Sequence, residues 1–262
     1  MRQILISVVV AIVTLATGAV SAQDAINAEI APTGKLRYGL NASNSVLSTR
    51  APDGTFSGIS IDLGRFIASK LGVTFEPVVY ASTGNFTRSF EAGEWDITFV
   101  GTSPAAREIF AFTPDVLLVD YVFLAGPNRR FANIADVDRA GIKVGASENG
   151  SGSQFLAQWL KSAQLVVGPG SVAVQTEMLS TGKVDVYGSS TNNLLLVQER
   201  LPGATFVPGA FFTVHFAVAI PKSRSPAARA RIAAIVQEAV TSGLLQKAIE
   251  KAGLKDVRAA AN

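Results

Sequence analysis

Short apolar runs alternate along this chain with segments whose apolar residues return every three or four positions, and glycine or proline separates most of them. The first pattern predicts buried strands and the second amphipathic helices. "KLRYGL" (35–40) reads as a strand after Pro32 and Gly34. The irregular polar stretch "NASNSVLSTRAPDGTFSG" follows, with turn chemistry at Pro52, Asp53 and Gly54. "SIDLGRFIASKLG" reads as a helix: Leu63, Phe66, Ile67 and Leu71 share a face, Ser60 is placed to cap the start and Gly72 to end it. "VTFEPVVY" is a strand. A helix from about 85 to 92 carries Phe86 and Phe90 inward, and Gly93 ends it before the strand "WDITFV".

From Val116 the chain turns almost wholly apolar, "VLLVDYVFLAG", and stops at Gly126 and Pro127. "GIKVGA" begins a second series of strands and helices. Ser151 followed by Gln154 reads as a capping box, opening a helix whose apolar face is Phe155, Leu156, Trp159 and Leu160. A helix near 174–180 leads through Gly182 to the strand "VDVYG", and after a loop region comes the strand "VHFAVAIP". Ser225 and Pro226 open the long helix "AARARIAAIVQEAV", and "LLQKAIEKAG" supplies a last short one.

Strands alternating with helices predict an α/β fold with parallel-rich sheets. "FEAGEWDITFVGTS" and "LSTGKVDVYGSST" repeat one order: helix, Gly, apolar residue, Asp, strand, hydroxyl-rich turn. That repetition predicts two lobes of related build, with polar groups at the carboxyl ends of strands, where open α/β sheets bind ligands. The long strands "YVFLA" and "VHFAVAI" bracket the second series, so the chain leaves the first lobe at one and returns at the other. The expected architecture is a discontinuous lobe 1 (34–122 and 217–257) and a lobe 2 (126–212). Two hinge crossings join them, and a ligand cleft lies between.

Composition adds an address. Arg2, the apolar run from Ile4 to Ala16 and the small residues Val20, Ser21 and Ala22 form the pattern of a cleavable export signal over 1–22. The run is short for a membrane span, so the mature chain is expected to be soluble and exported. With no cysteine and one histidine, His215, the chain excludes cysteine nucleophiles and the usual Cys/His zinc sites. No metal or cofactor is expected. The formal net charge is +3 with no basic run, which gives no footprint for nucleic acid.

The strongest candidate for chemistry lies in "VGTSPAAREIFAFTPD" (100–115). Arg107 follows a strand end, and a guanidinium is a planar fork of donors that matches a carboxylate. Thr102 adds a hydroxyl nearby. The plainer reading of Arg107 is a solvated arginine paired with Glu108 or Asp115. Gly150 and Ser151, at the start of a helix, form a second anion-receptive turn through free N–H groups and the helix dipole; an ordinary cap explains Ser151 equally. The stretch "GASENGSGS" is neither a P-loop nor a dinucleotide fingerprint. Asp96 and Asp185 read as structural acceptors, and His215, without a triad partner, as structural too.

Taken together, "GKLRYGL", "DGTFSGISIDLGRFIASKLGV", "FEAGEWDITFVGTSPAAREIFAFT", "IKVGASENGS" and "STGKVDVYG" resemble the bacterial extracellular solute-binding proteins of family 3, the periplasmic receptors of polar amino-acid ABC importers. The resemblance runs from Gly34 to about Leu254. It implies a two-lobed, type II venus-flytrap fold that closes on a small solute and delivers it to a membrane permease. It also implies that Arg107, helped by Thr102, clamps a carboxylate, and that Gly150 and Ser151 donate backbone N–H groups to it. Ser190 occupies the place of the acid that holds an α-ammonium in the family. Asn44 takes the place of the usual aromatic cover, and Thr83 lies near another cover position. A small carboxylate-bearing solute, an amino acid or related organic acid, is therefore the expected ligand of a monomeric receptor. The alternatives are a dehydratase-like enzyme acting on cyclic carboxylic acids and a sensor that presents its ligand to a membrane receptor.

Overall fold

A computed structural model of the chain describes residues 21–260 except Ser43 and Ser82, and only the backbone of Thr83 and Ala105. The expected export signal falls on residues 1–20, outside the described residues, save for its last two. Of these, Ser21 caps the first helix, α1 (Ala22–Ile30), by accepting from the Asp24 N–H at 3.1 Å.

The first half continues with β1 (Lys35–Asn41), the small ribbon β2 (Thr49–Arg50) and β3 (Phe56–Ser57), α2 (Ile59–Leu71) and β4 (Thr74–Tyr80). Then come α3 (Thr83–Arg88) with a turn of 3₁₀ helix at Ser89–Glu91, β5 (Ile97–Gly101), α4 (Pro104–Ile109), β6 (Phe110–Phe112) and β7 (Leu117–Ala125). In α2 the buried residues Ile59, Leu63, Ile67 and Leu71 recur every fourth position, and Gly72 ends the helix at φ 72°, a left-handed turn that glycine adopts without strain. The expected Ser60 cap is corrected: Gly58 holds the cap position. Ser60 lies inside the helix, buried, with its hydroxyl 3.1 Å from that of Tyr38.

The second half comprises β8 (Lys143–Ser147), α5 (Ser151–Trp159), β9 (Gln164–Gly168), α6 (Val172–Ser180), β10 (Val186–Ser190) and α7 (Thr191–Arg200). The 17-residue β11 (Thr205–Pro221) returns to the first half, where α8 (Pro226–Thr241), α9 (Leu244–Ala252) and β12 (Val257–Ala259) complete the fold. The expected loop before "VHFAVAIP" is in fact α7 and the first half of β11. Leu194 and Val197 of α7 are buried with Leu201, a spacing of three and four that fits a helix laid on a core.

Strands run in the order β4-β1-β5-β11-β7-β10-β8-β9. At one end β1 is parallel to β4 and β5, and at the other β8 is parallel to β9 and β10. Between them β7 and β11 pair antiparallel along their length, with register shifts between Val207 and Phe212. The cores divide along these two strands. Val119 and Val214 pack with α2, α8 and α9, whereas Phe123, Phe211 and Val207 pack with α5 and β8. A sheet shared by two cores gives two α/β lobes joined by two crossing strands.

The repeated sequence device is also a repeated structure. Asp96 sits before β5; its N–H donates to Arg37 O at 2.8 Å and its carboxylate accepts the Arg37 N–H at 2.9 Å. Asp185 sits before β10 and does the same with Lys143, at 2.8 Å in both directions. Each aspartate thus ties the strand it precedes to the neighbouring parallel strand. Arginines neutralise both: Arg37 at 2.7 Å from Asp96, and Arg129 at 2.6 Å from Asp185. These carboxylates are structural acceptors, as the sequence pattern implies.

Candidate functional site

Where β5, β8 and β10 end, their following turns face one another and enclose a cavity of about 180 Å³. Lobe 1 offers it Leu47, Phe86, Phe90, Phe99, Ala106 and Ile109. Lobe 2 offers Ser147, Asn149, Ser151, Gln154, Ser189 and Asn193, with glycines between them. Tyr121 on β7 and Val214 and Phe216 on β11 line it from the crossing strands.

The apolar wall is held by an aromatic cluster. Phe90 meets Phe86 and Phe110 edge-on with ring centres 5.1 and 5.0 Å apart, and Trp95 packs behind them. The Trp95 Nε1–H donates to Ser89 Oγ at 2.9 Å, and that hydroxyl donates to Phe86 O at 2.7 Å. These bonds fix the 3₁₀ turn that carries Phe90. Burial pushes the Tyr121 phenol up to about 12 and also raises that of Tyr187, whose hydroxyl lies 3.4 Å from Ser147 Oγ. Both phenols therefore stay neutral at ordinary pH.

On the polar wall the start of α5 differs from the expected capping box. Gly150 is the cap residue, Ser151 is the first helical residue, and no side chain caps the end; Ser153 Oγ instead donates to Gly150 O at 2.9 Å. Gly150, Ser151 and Gly152 accordingly present the first turn to the cavity. Lobe 1 comes close at this point. A Cβ added at Gly101 would stand 3.0 Å from Ser151 Oγ and 3.1 Å from Val214 Cγ1, so the bare glycine lets the lobes meet.

The expected site residues fall in different places. Gly150, Ser151 and Asn44 line the cavity. Thr83 begins α3, the helix that brings Phe86 there. Ser190 is buried and caps α7, accepting from the Asn193 N–H at 3.4 Å, while its neighbours Ser189 and Asn193 reach the cavity. Thr102 is half-buried and donates its N–H to His215 O at 2.7 Å; it is not among the lining residues. Arg107 is exposed, with its guanidinium over the Phe112 ring at 5.4 Å, and α4 turns Ser103 and Ala106 to the cavity instead. His215 pairs with Asp115 at 2.6 Å on the surface. Asn149, Ser189 and Asn193 were not anticipated. Each lies within three residues of the carboxyl end of β8 or β10, which is the signal that finds them.

Across the cleft, Ser45 Oγ donates to Asn193 Oδ1. A second set of cross-lobe bonds lies away from the cavity lining. Thr191 Oγ1 donates to Asp256 at 2.6 Å, Asn192 Nδ2 donates to Lys255 O at 2.8 Å, and the Lys255 N–H returns to Asn192 Oδ1 at 2.9 Å. Among the described residues no His, Asp and Glu stand together as a metal-binding group, and no helix is long and apolar enough to cross a membrane.

Two lobes, two crossing strands and a cavity between strand ends define a two-lobed binding protein of the periplasmic type. The chain belongs to the bacterial extracellular solute-binding proteins, family 3, whose profile matches residues 36–255. A curated relative, the cyclohexadienyl dehydratase of Pseudomonas aeruginosa, is 25% identical over 186 residues, covering 70% of this chain and 69% of that protein. Among solved structures, an amino acid ABC transporter substrate-binding protein of Streptococcus pneumoniae bound to L-arginine superposes with a TM-score of 0.72. It shares 23% identity, over 85% of this chain and 96% of the other. The ancestral amino acid-binding protein AncCDT-1, a precursor of cyclohexadienyl dehydratase, also gives 0.72 at 19% identity, over 86% and 98%. At these identities the structural likeness shows the fold.

Proposed function

We propose that this protein is the substrate-binding component of an ABC importer, working outside the cytoplasm. Lobe 1 (34–122 and 217–257) and lobe 2 (126–212) close on one small solute and present it to a membrane permease. The observation that carries this reading is the cavity itself, lined from both lobes and spanned by β7 and β11. The export pattern over 1–22 supports the location, and family membership supports the role. The site is Asn44, Gly150 and Ser151 with Asn149, Ser189 and Asn193. The resemblance would put a carboxylate at the first turn of α5, but Arg107, the cation it would need, is turned to the surface over Phe112.

The dehydratase relative favours a second reading, an enzyme acting on cyclic carboxylic acids. Such chemistry needs a general acid in the cleft. The lining contributes hydroxyls and amides there, and Ser190 is occupied in capping α7. One experiment separates the two. The protein is melted with amino acids, dicarboxylates, aromatic acids, hydroxy acids and their neutral amides, and each mixture is then analysed by mass spectrometry. A receptor is expected to show a rise in melting temperature that saturates with one compound, that compound being recovered unchanged, and loss of its uptake when the gene is deleted. Turnover of a cyclic hydroxy acid would replace the receptor with the enzyme.

A further inference from the structure

We infer that the cavity takes an uncharged solute, one that lays an apolar face on lobe 1 and directs hydroxyl or amide groups at lobe 2. This inference rests on the solute-binding reading and concerns the same cavity. The two walls differ in kind. Every large apolar side chain outside the crossing strands, Leu47, Phe86, Phe90, Phe99 and Ile109, comes from lobe 1, beside the polar Asn41, Asn44, Thr87 and Ser103, whereas every lobe 2 residue on the cavity is serine, asparagine, glutamine or glycine. Hydroxyls and side-chain amides both donate and accept. They exchange the water bonds of a neutral polar group one for one, and ring faces accept the apolar side of the same molecule.

No charged side chain is among the lining residues; Glu148, between the lining residues Ser147 and Asn149, is exposed, and other charges nearby have partners of their own. Arg107 lies over Phe112, and Arg88 donates to Asn85. Glu94 accepts from Tyr80, Asp120 from Thr213 and Arg258, and Asp256 from Thr191. Ser43, Ser82, Thr83 and Ala105, whose side chains are not described, are uncharged residue types. A zwitterion closed into this cavity would give up water around two charges and find a full counter-charge for neither. The uncapped start of α5 offers an anion only the partial charge of a helix end. On lobe 2, Ser190 is buried and caps α7, and no acidic side chain is among the lining residues to meet an ammonium.

The test uses the full mature protein and a small-molecule metabolite extract split in two steps. A cation exchanger at low pH retains every amine, and a strong anion exchanger at high pH then retains every acid. The final flow-through, holding the neutral compounds, is expected to raise the melting temperature of the protein. A rise produced only by the amine or the acid fraction overturns the inference and leaves the solute-binding reading standing. A rise with no fraction overturns both. In Asn149→Ala and Phe90→Ala, each checked for folding by circular dichroism, the rise from the neutral fraction is expected to fall by roughly half or more. An unchanged rise in both variants places the binding outside this cavity and overturns the inference.

Discussion

On α4 a rotation of about 100° separates each residue from the next, which is enough to put Ala106 on the cavity and Arg107 in solvent. Sequence supplies the spacing of residues along a helix but not the rotation of that helix about its axis, and Arg107 is where the difference matters. In a helix as short as Pro104–Ile109 no repeated apolar stripe fixes the inward face. The face is legible only afterwards, from Ser103, Ala106 and the buried Phe110. The consequence is measurable. Arg107→Ala removes an exposed cation–π contact of about 0.5–1 kcal/mol, and the affinity for the solute found in the melting screen is expected to stay within about twofold. Calorimetric titration decides it: a loss beyond about tenfold would bring the guanidinium to the ligand, as the family resemblance implies.

At the scale of elements, what was readable is what local chemistry repeats. Asp96 and Asp185 announced the strands β5 and β10, because a carboxylate that accepts a backbone N–H from a neighbouring strand needs a fixed place ahead of its own. What escaped was set by tertiary contact. Thr191, Asn192 and Asn193 read as a loop, yet Ser190 caps α7 and Leu194 and Val197 bury its face. Ser151 read as a cap, but lobe 1 stands against it. Because a methyl group at Gly101 would stand 3.0 Å from Ser151 Oγ and 3.1 Å from Val214 Cγ1, close enough that these neighbours must give way by a few tenths of an ångström, Gly101→Ala is expected to resist closure. A tenfold weaker affinity, about 1.4 kcal/mol, is the size anticipated. Combining it with Ser151→Ala removes one of the two close contacts, so the double variant is expected to recover part of the loss. Strict additivity of the two losses in a double-mutant cycle would show that Gly101 and Ser151 do not meet in the bound state.

For the whole molecule, the two lobes are coupled through contacts on both sides of the cavity lining. The crossing strands carry the sheet from one core to the other, and the end of the chain completes the joint, since Leu254 and Val257 pack on the lobe 1 core while Lys255 and Asp256 bond to α7 of lobe 2. The start of α7 is therefore held by lobe 1 at a point removed from the lining. Thr191 and Asn192 make three of these bonds, each worth about 1 kcal/mol net, more where a carboxylate accepts. In a Thr191→Ala/Asn192→Ala variant the closed arrangement loses about 2–3 kcal/mol relative to an open one. Affinity for the solute then falls by as much as the closed population does, up to roughly 100-fold if closure was only slightly favoured. The lining residues are untouched, so the loss is expected in affinity without a change in which compounds register. Small-angle scattering of the ligand-free variant should show a larger radius of gyration than the parent. Unchanged affinity together with an unchanged radius would mean that the bonds from α7 to Lys255 and Asp256 do not help to hold the lobes closed, leaving closure to the cavity walls and the contact of Ser45 with Asn193.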